Sequence, residues 1–137
     1  MIDPFQDYDQ ACADFRWNVP RHLNMATQVC DLWCERDPDK TAIIDATDLG
    51  NIKHYTYADL SRAADTLAHH LKGLGVSSGD RIGLLRSQDL WTAAVHIAIW
   101  KLGAISIPLF KLFGPEALSS RILDAGAKCV IVDEEGH

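Results

Sequence analysis

From Asp80 onward, short apolar runs alternate with helical patterns, and this alternation limits the fold more than any other feature of the chain. Arg81-Ile-Gly-Leu-Leu85 reads as a strand. Leu90 to Leu102 reads as a helix, apolar almost all round and broken only by Thr92, His96 and Lys101, so it should be largely buried. Gly103 caps that helix, and Ala104-Ile-Ser-Ile-Pro-Leu109 is the next strand. Pro115 suits the first position of a helix running to Ala125, with Leu118, Ile122 and Ala125 inward and Gly126 past its end. Lys128-Cys-Val-Ile-Val132 is a third strand. Strand, helix, strand, helix, strand with short apolar strands implies right-handed crossovers and a parallel sheet covered on both faces. The expected fold class is therefore α/β, a parallel sheet with covering helices.

The upstream half is expected to add helices and a hairpin. Ala26, Val29, Cys30 and Trp33 fall on one stripe of a helix from about Leu23 to Arg36, which Asp37-Pro38 ends. Thr41-Ala-Ile-Ile-Asp-Ala46 and Lys53-His-Tyr-Thr56 read as a hairpin around Leu49-Gly-Asn-Ile52. Thr56 and Asp59 resemble a capping box. Behind it Leu60, Ala63, Ala64, Leu67, Ala68, Leu71 and Leu74 keep helical spacing, Arg62, Asp65, His69 and Lys72 take the other face, and Gly73 and Gly75 stop the helix. Residues 1–21, with Pro4 and Pro20, read as an arm with short ordered pieces, and residues 22–137 as one α/β domain. Neither an internal repeat nor a low-complexity segment interrupts it.

Composition narrows the partners. Lysine and arginine number 13 against 19 acidic residues, a net charge of -6, which disfavours a nucleic-acid partner. No run approaches the ~18 apolar residues of a membrane span. The acidic start, Met1-Ile-Asp-Pro-Phe-Gln-Asp-Tyr-Asp9, lacks the basic and apolar regions of a signal peptide, so the expected location is cytoplasmic. Four cysteines (Cys12, Cys30, Cys34 and Cys129) are too few and too scattered for a disulfide framework.

Most candidate sites have a plainer explanation. Gly73-Leu-Gly-Val-Ser-Ser-Gly79 follows a helix and precedes a strand, the reverse of a dinucleotide fingerprint, so it is a helix stop and turn. Cys30 and Cys34 share a helix face, but no histidine pair at matching spacing completes a metal site. His69 and His70 are adjacent and diverge by about 100° on a helix. His96 reads as a hydrogen-bonded core residue, and Asp133-Glu-Glu135 as a solvated strand end or loop. Serine nucleophile elbows, zinc-protease helices and phosphate-cradling loops are absent, and no catalytic residue is assigned. Phe110-Lys-Leu-Phe-Gly114 is more informative, because it joins a strand's carboxyl end to a helix amino terminus, where parallel sheets gather ligands. Its plain alternative is a connecting loop with two aromatics tucked inward.

From about Phe15 to the end, the chain resembles the amino-terminal region of AMP-forming acyl-CoA synthetases of the adenylate-forming ligase superfamily, of the acetyl- and medium-chain type. The likeness runs in order through Trp17-Asn-Val-Pro-Arg-His-Leu-Asn24, Asp37-Pro-Asp-Lys-Thr-Ala-Ile-Ile44 and Tyr55-Thr-Tyr-Ala-Asp-Leu60. It continues through Gly75-Val-Ser-Ser-Gly-Asp-Arg-Ile82, Trp100-Lys-Leu-Gly-Ala-Ile-Ser-Ile-Pro-Leu109, Gly114-Pro-Glu-Ala-Leu118 and Arg121-Ile-Leu-Asp124. Each stretch is short, and their number, order and spacing make the match specific.

The resemblance implies a two-step reaction: a carboxylate and ATP, accompanied by magnesium, give an acyl-adenylate and pyrophosphate, and the acyl group then passes to coenzyme A. It places the loop carrying Lys111, Leu112, Phe113 and Gly114 beside the pantetheine tunnel, with Phe113 and Gly114 fitting the pattern better than Lys111 and Leu112, where some relatives carry glycines. The family's phosphate loop, its nucleotide-binding motifs and its adenylation lysine have no counterpart up to His137, so the 137 residues alone are expected to be inactive and to bind none of these ligands tightly. The alternative reading is a stand-alone, non-catalytic α/β binding module or the product of a decayed gene. The nearly all-apolar Leu90–Leu102 helix weighs against independence, since it demands cover on every side.

Overall fold

The computed structural model describes residues 7–17 and 19–134, so Pro4, Asn18 and Glu135, named above, lie outside the described residues. Of the expected arm, Tyr8–Asp14 forms a short helix, α1, capped by the Asp7 side chain on the Gln10 amide and burying no residue. Phe15 and Trp17 follow it in edge-to-face contact, 4.9 Å between ring centroids.

The first helical stretch departs from the expected stripe. Thr27–Asp31 is a π-helical segment that continues into α2, Leu32–Arg36. A π turn holds more residues than an α turn, so it rotates the face that follows. Ala26 and Cys30 are fully buried as expected, but Val29 turns outward and is 46% exposed. Asn24 fastens the start of this stretch: its side chain accepts from the Ala26 amide and donates to the Trp100 carbonyl, 76 residues away.

Strands β1, Thr41–Asp45, and β2, Lys53–Thr56, pair antiparallel as expected, with an irregularity between Thr41 and Ile43. Helix α3, Tyr57–Gly73, opens with the full capping box: the Asp59 amide donates to Thr56 Oγ1, and the Thr56 amide to the Asp59 carboxylate. Leu60, Ala64, Ala68 and Leu71 are its buried stripe. Leu74, expected inward, sits past the helix end and is largely exposed.

The alternating half forms a three-stranded parallel sheet from β3, Arg81–Leu85, β4, Ile105–Leu109, and β5, Cys129–Val132, in the order β4-β3-β5. Gly83 pairs with Ile107 on one side and Val130 on the other. Helices α4, Leu90–Lys101, and α5, Pro115–Asp124, are the crossovers. From β3 one crossover runs to one edge and the next returns past β3 to the other. Crossovers of one hand therefore place α4 and α5 on opposite faces.

Helix α4 is covered on two sides. Val95, Ala98 and Ile99 join Ile82 and Leu84 of β3 and Ala68 and Leu71 of α3 in one core cluster. Ala94 and Ile97 join Ala26, Cys30, Leu60 and Ala64 in a second. This explains its apolar character all round: the helix lies between the sheet and an outer helical layer. Each fully buried Ile or Val in these clusters contributes about 1.5–3 kcal/mol. Thr92, expected to break the apolar face, is buried and donates its hydroxyl to the Ser87 carbonyl.

The opposite face of the sheet is less covered than expected. Helix α5 buries no residue fully, with Leu118, Ile122 and Ala125 only half-buried. Ile105 and Leu123 are 51% and 75% exposed. No helix among the described residues is long and apolar enough to cross a membrane.

Candidate functional site

All three strands end at the same edge, and the segments that follow them meet there. Arg86 to Asp89 leave β3, Phe110 to Gly114 leave β4, and Asp133 leaves β5. Asp89 caps α4 by accepting from the Thr92 amide at 2.8 Å, and its other oxygen lies 3.0 Å from the Arg86 guanidinium. Arg86 also donates to the Val132 carbonyl, while its Nε is buried with no hydrogen-bond partner.

Within the second segment, a turn closed by the Phe113 amide on the Phe110 carbonyl holds the two aromatic rings edge to face, centroids 5.5 Å apart. The guanidinium of Arg121, in the last turn of α5, lies 4.2 Å from the centre of the Phe113 ring. The rings are not both tucked inward: Phe110 is 60% exposed and Phe113 half-buried. Leu112, at the tip, is 97% exposed. Gly114 is the N-cap of α5 in extended conformation, with Pro115 at the first helical position.

Lys111 does not reach into solvent with Leu112. Its ammonium lies 2.8 Å from the Asp133 carboxylate and donates to Ser87 Oγ, also at 2.8 Å. The Ser87 amide donates to the same Asp133 oxygen at 2.8 Å. One side chain from each of the three segments thus closes a single network. Asp133, expected as part of a solvated end, is instead an anchor.

Beneath the network lies a small cleft of about 170 Å³, lined by Leu84, Arg86, Thr92, His96 and Phe110 among others. A larger one of about 490 Å³ separates β1 from the amino-terminal half of α4, between Ile43, Ile44, Ala93 and His96. His96 borders both, stacks on Trp100 and shares a hydrogen bond with Ser106, as expected of a satisfied core histidine. Burial lowers its pKa and keeps the ring neutral near pH 7. Neither Cys30, whose thiol pKa is raised by burial, nor any other group belongs to a cluster of three or more potential metal ligands among the described residues. The edge offers aromatic surface, two cations matched by carboxylates, Arg86 and Lys111, and a third, Arg121, over the Phe113 ring.

A profile of the family described as AMP-binding enzyme matches residues 30–137. The chain belongs to that family. Its similarity to members extends beyond the matched region: the acetyl-coenzyme A synthetase of Sodalis glossinidius is 33% identical over 98% of this chain and 22% of its own length. That of Halorhodospira halophila is 36% identical over 94% of this chain and 20% of its own. The chain thus spans about a fifth of the length of these relatives. In fold it matches the crystal structure of CmiS6, with a TM-score of 0.76 and 24% identity over 90% of this chain and 30% of that one. The α/β class read from the sequence is the fold of this AMP-binding enzyme family member.

Of the residues singled out, Lys111, Leu112, Phe113 and Gly114 stand together at the sheet's carboxyl edge, but only Phe113 and Leu112 present apolar surface there. Arg86, Ser87 and Asp89 were not singled out, and Asp133 was expected only as a solvated end. The argument that selected Phe110–Gly114, a connection leaving a parallel strand's carboxyl end, applies equally to Arg86–Asp89.

Proposed function

We propose that this chain is the amino-terminal α/β part of a carboxylate–CoA ligase, one that forms an acyl-adenylate from ATP and a carboxylic acid and transfers the acyl group to coenzyme A. The observation that carries this reading is the similarity to acetyl-coenzyme A synthetases along nearly the whole chain. In this proposal residues 1–21 are an arm, residues 22–137 the α/β domain, and the protein acts in the cytoplasm with magnesium accompanying ATP. The 137 residues alone are inactive in this reading: of the cations at the described edge, Arg86 and Lys111 are paired with Asp89 and Asp133, and Arg121 lies over the Phe113 ring.

The loop of Lys111, Leu112, Phe113 and Gly114 forms one wall of the coenzyme A side. Its position after β4, the exposed Leu112 tip and the Phe113 ring braced by Phe110 and Arg121 support that role. An aromatic wall of this kind packs against an extended, uncharged chain such as pantetheine and directs its thiol, while adenylate chemistry proceeds elsewhere.

The reading is tested on the polypeptide that carries this sequence in the cell, recovered through peptides of this region. Acid-dependent exchange of pyrophosphate into ATP is expected, and its absence with short- and medium-chain acids alike would sink the ligase assignment. In the same protein Phe113→Ala is expected to raise the apparent KM for coenzyme A by on the order of tenfold, with exchange retained. An unchanged affinity for coenzyme A would remove the loop from the site.

A further inference from the structure

We infer that Lys111 is a positioning residue: with Ser87 and Asp133 it clamps the β4–α5 loop onto the ends of the other two strands and so fixes where the Phe110–Phe113 pair stands. The inference takes the proposed role of the loop as its context and deepens it, assigning what holds that wall in place. A five-residue connection from Phe110 to Gly114 has few ways to hold itself. Its one internal backbone hydrogen bond is the turn from the Phe113 amide to the Phe110 carbonyl. Gly114, unlike Asp89 before α4, caps its helix with no side chain. Leu112 makes no burial to anchor the tip, being 97% exposed.

Against this, Lys111 binds two partners 24 and 22 residues away in sequence, Ser87 at 2.8 Å and Asp133 at 2.8 Å. Both salt-bridge partners are largely removed from solvent, at 27% and 17% side-chain exposure, so the pair is less screened than a surface pair. Asp133 is itself fixed by the Ser87 amide at 2.8 Å, and the Ser87 carbonyl by the Thr92 hydroxyl of α4. The network therefore runs from the buried start of α4 out to the loop tip, and its outermost member adjoins Leu112. Lys111 is held by carboxylate and hydroxyl, which assigns it to shaping the loop and not to contacting an anionic ligand.

The clamp predicts its own assay, since trypsin cleaves after Lys111. Cleavage at the Lys111–Leu112 bond in this chain reports how often the loop opens. Asp133→Asn and Ser87→Ala are each expected to speed that cut on the order of tenfold, the scale of a broken pairwise network, while cuts at other sites keep their rates. Lys111→Arg retains the cleavage site and a cation, and should stay near the parent rate. Asp39→Asn, a charge change in an exposed turn, controls for net charge and should leave the cut unaltered. If Asp133→Asn and Ser87→Ala cut no faster than the parent, the clamp is overturned. A uniform rise at all sites means general unfolding and also overturns it, since the effect must be confined to the loop.

The second readout is kinetic and belongs to the ligase proposed above. Asp133→Asn there should raise KM for coenzyme A more than it lowers kcat, with Lys111→Arg close to the parent. Faster cleavage with unchanged coenzyme A kinetics would keep the clamp and overturn the loop's place in the coenzyme A site. Unchanged cleavage with altered kinetics would overturn the clamp and leave that place standing.

Discussion

The two edges of the β4-β3-β5 sheet are built differently. At the amino edge, most contacts end on the backbone carbonyls of turns. Lys128 donates to the Gly75 carbonyl and to Asp80, Arg81 to the carbonyls of Gly79, Ala125 and Gly126, and the Gly79 amide to the Gly103 carbonyl. Its turns hold four glycines at positive φ, Gly75, Gly79, Gly103 and Gly126. At the carboxyl edge, side-chain pairs, Lys111 with Ser87 and Asp133 and Arg86 with Asp89, join the backbone contacts, the loop glycine has an ordinary φ, and apolar side chains stand in solvent. Bonds to turn carbonyls cannot be exchanged for other geometry, whereas side-chain networks can vary without disturbing the strands. The first edge is tied through its turns, and the second partly through side chains that can be exchanged.

The comparison breaks most readily at its glycines. Gly103 has φ +67, and a Cβ there would stand 2.9 Å from Ser78 Oγ. Gly103→Ala is expected to cost about 2 kcal/mol, combining left-handed strain with the displaced serine. Gly114 has φ -66 and nothing within 4 Å of an added Cβ. Gly114→Ala should change stability by less than about 0.5 kcal/mol. Urea denaturation of the two variants checks this, and equal costs would erase the distinction between the edges.

A smaller effect, on the carboxyl side, tests whether order there is local. Asp89 caps α4 and pairs with Arg86, so Asp89→Ala is expected to cost about 1–2 kcal/mol, mostly the lost cap. The melting temperature gives the size of the loss. Amide exchange should show opening near Ser87 and Thr92 without loss of protection at Gly79 or Gly103. Exchange rising equally at both edges would mean that they act as one unit.

These particulars show what could be read in advance. Every strand and crossover helix of the sheet follows from apolar runs punctuated by Gly103, Pro115 and Gly126, because period and punctuation are local properties. Val29 went wrong because a π segment changes the helical period, which no residue of the stretch announces. The lightly covered α5 face escaped notice because alternation predicts which residues point to a face and not how much packs upon it. The position of Phe110–Gly114 at the carboxyl edge was legible from its place after a strand. Asp133 was not, since its partners, Lys111 and Ser87, are 22 and 46 residues away and meet it only through the strand order.

The last test turns on acid and concerns the amino edge alone. Asp80 accepts from the Lys128 ammonium at 2.7 Å and the Ser77 amide at 2.8 Å. These contacts, the lysine first, lower its pKa from an ordinary 3.8 to about 2. A group depressed on folding favours the folded state above its unfolded pKa, and that contribution disappears as pH falls from 3.8 towards 2. Asp80→Asn removes the titrating group, so the variant should be less stable than the parent at pH 7 and the gap should narrow through that window. Because the Lys128 partner is partly exposed, at 42%, the pair is screened by solvent, so the whole effect is the smallest of the three and should shrink further in high salt. Urea midpoints for the pair at pH 7, 4, 3 and 2 give the answer. A gap that stays constant to pH 2 would mean that the carboxylate adds nothing beyond the turn itself, and that the amino edge owes its rigidity to glycines and backbone hydrogen bonds without help from charge.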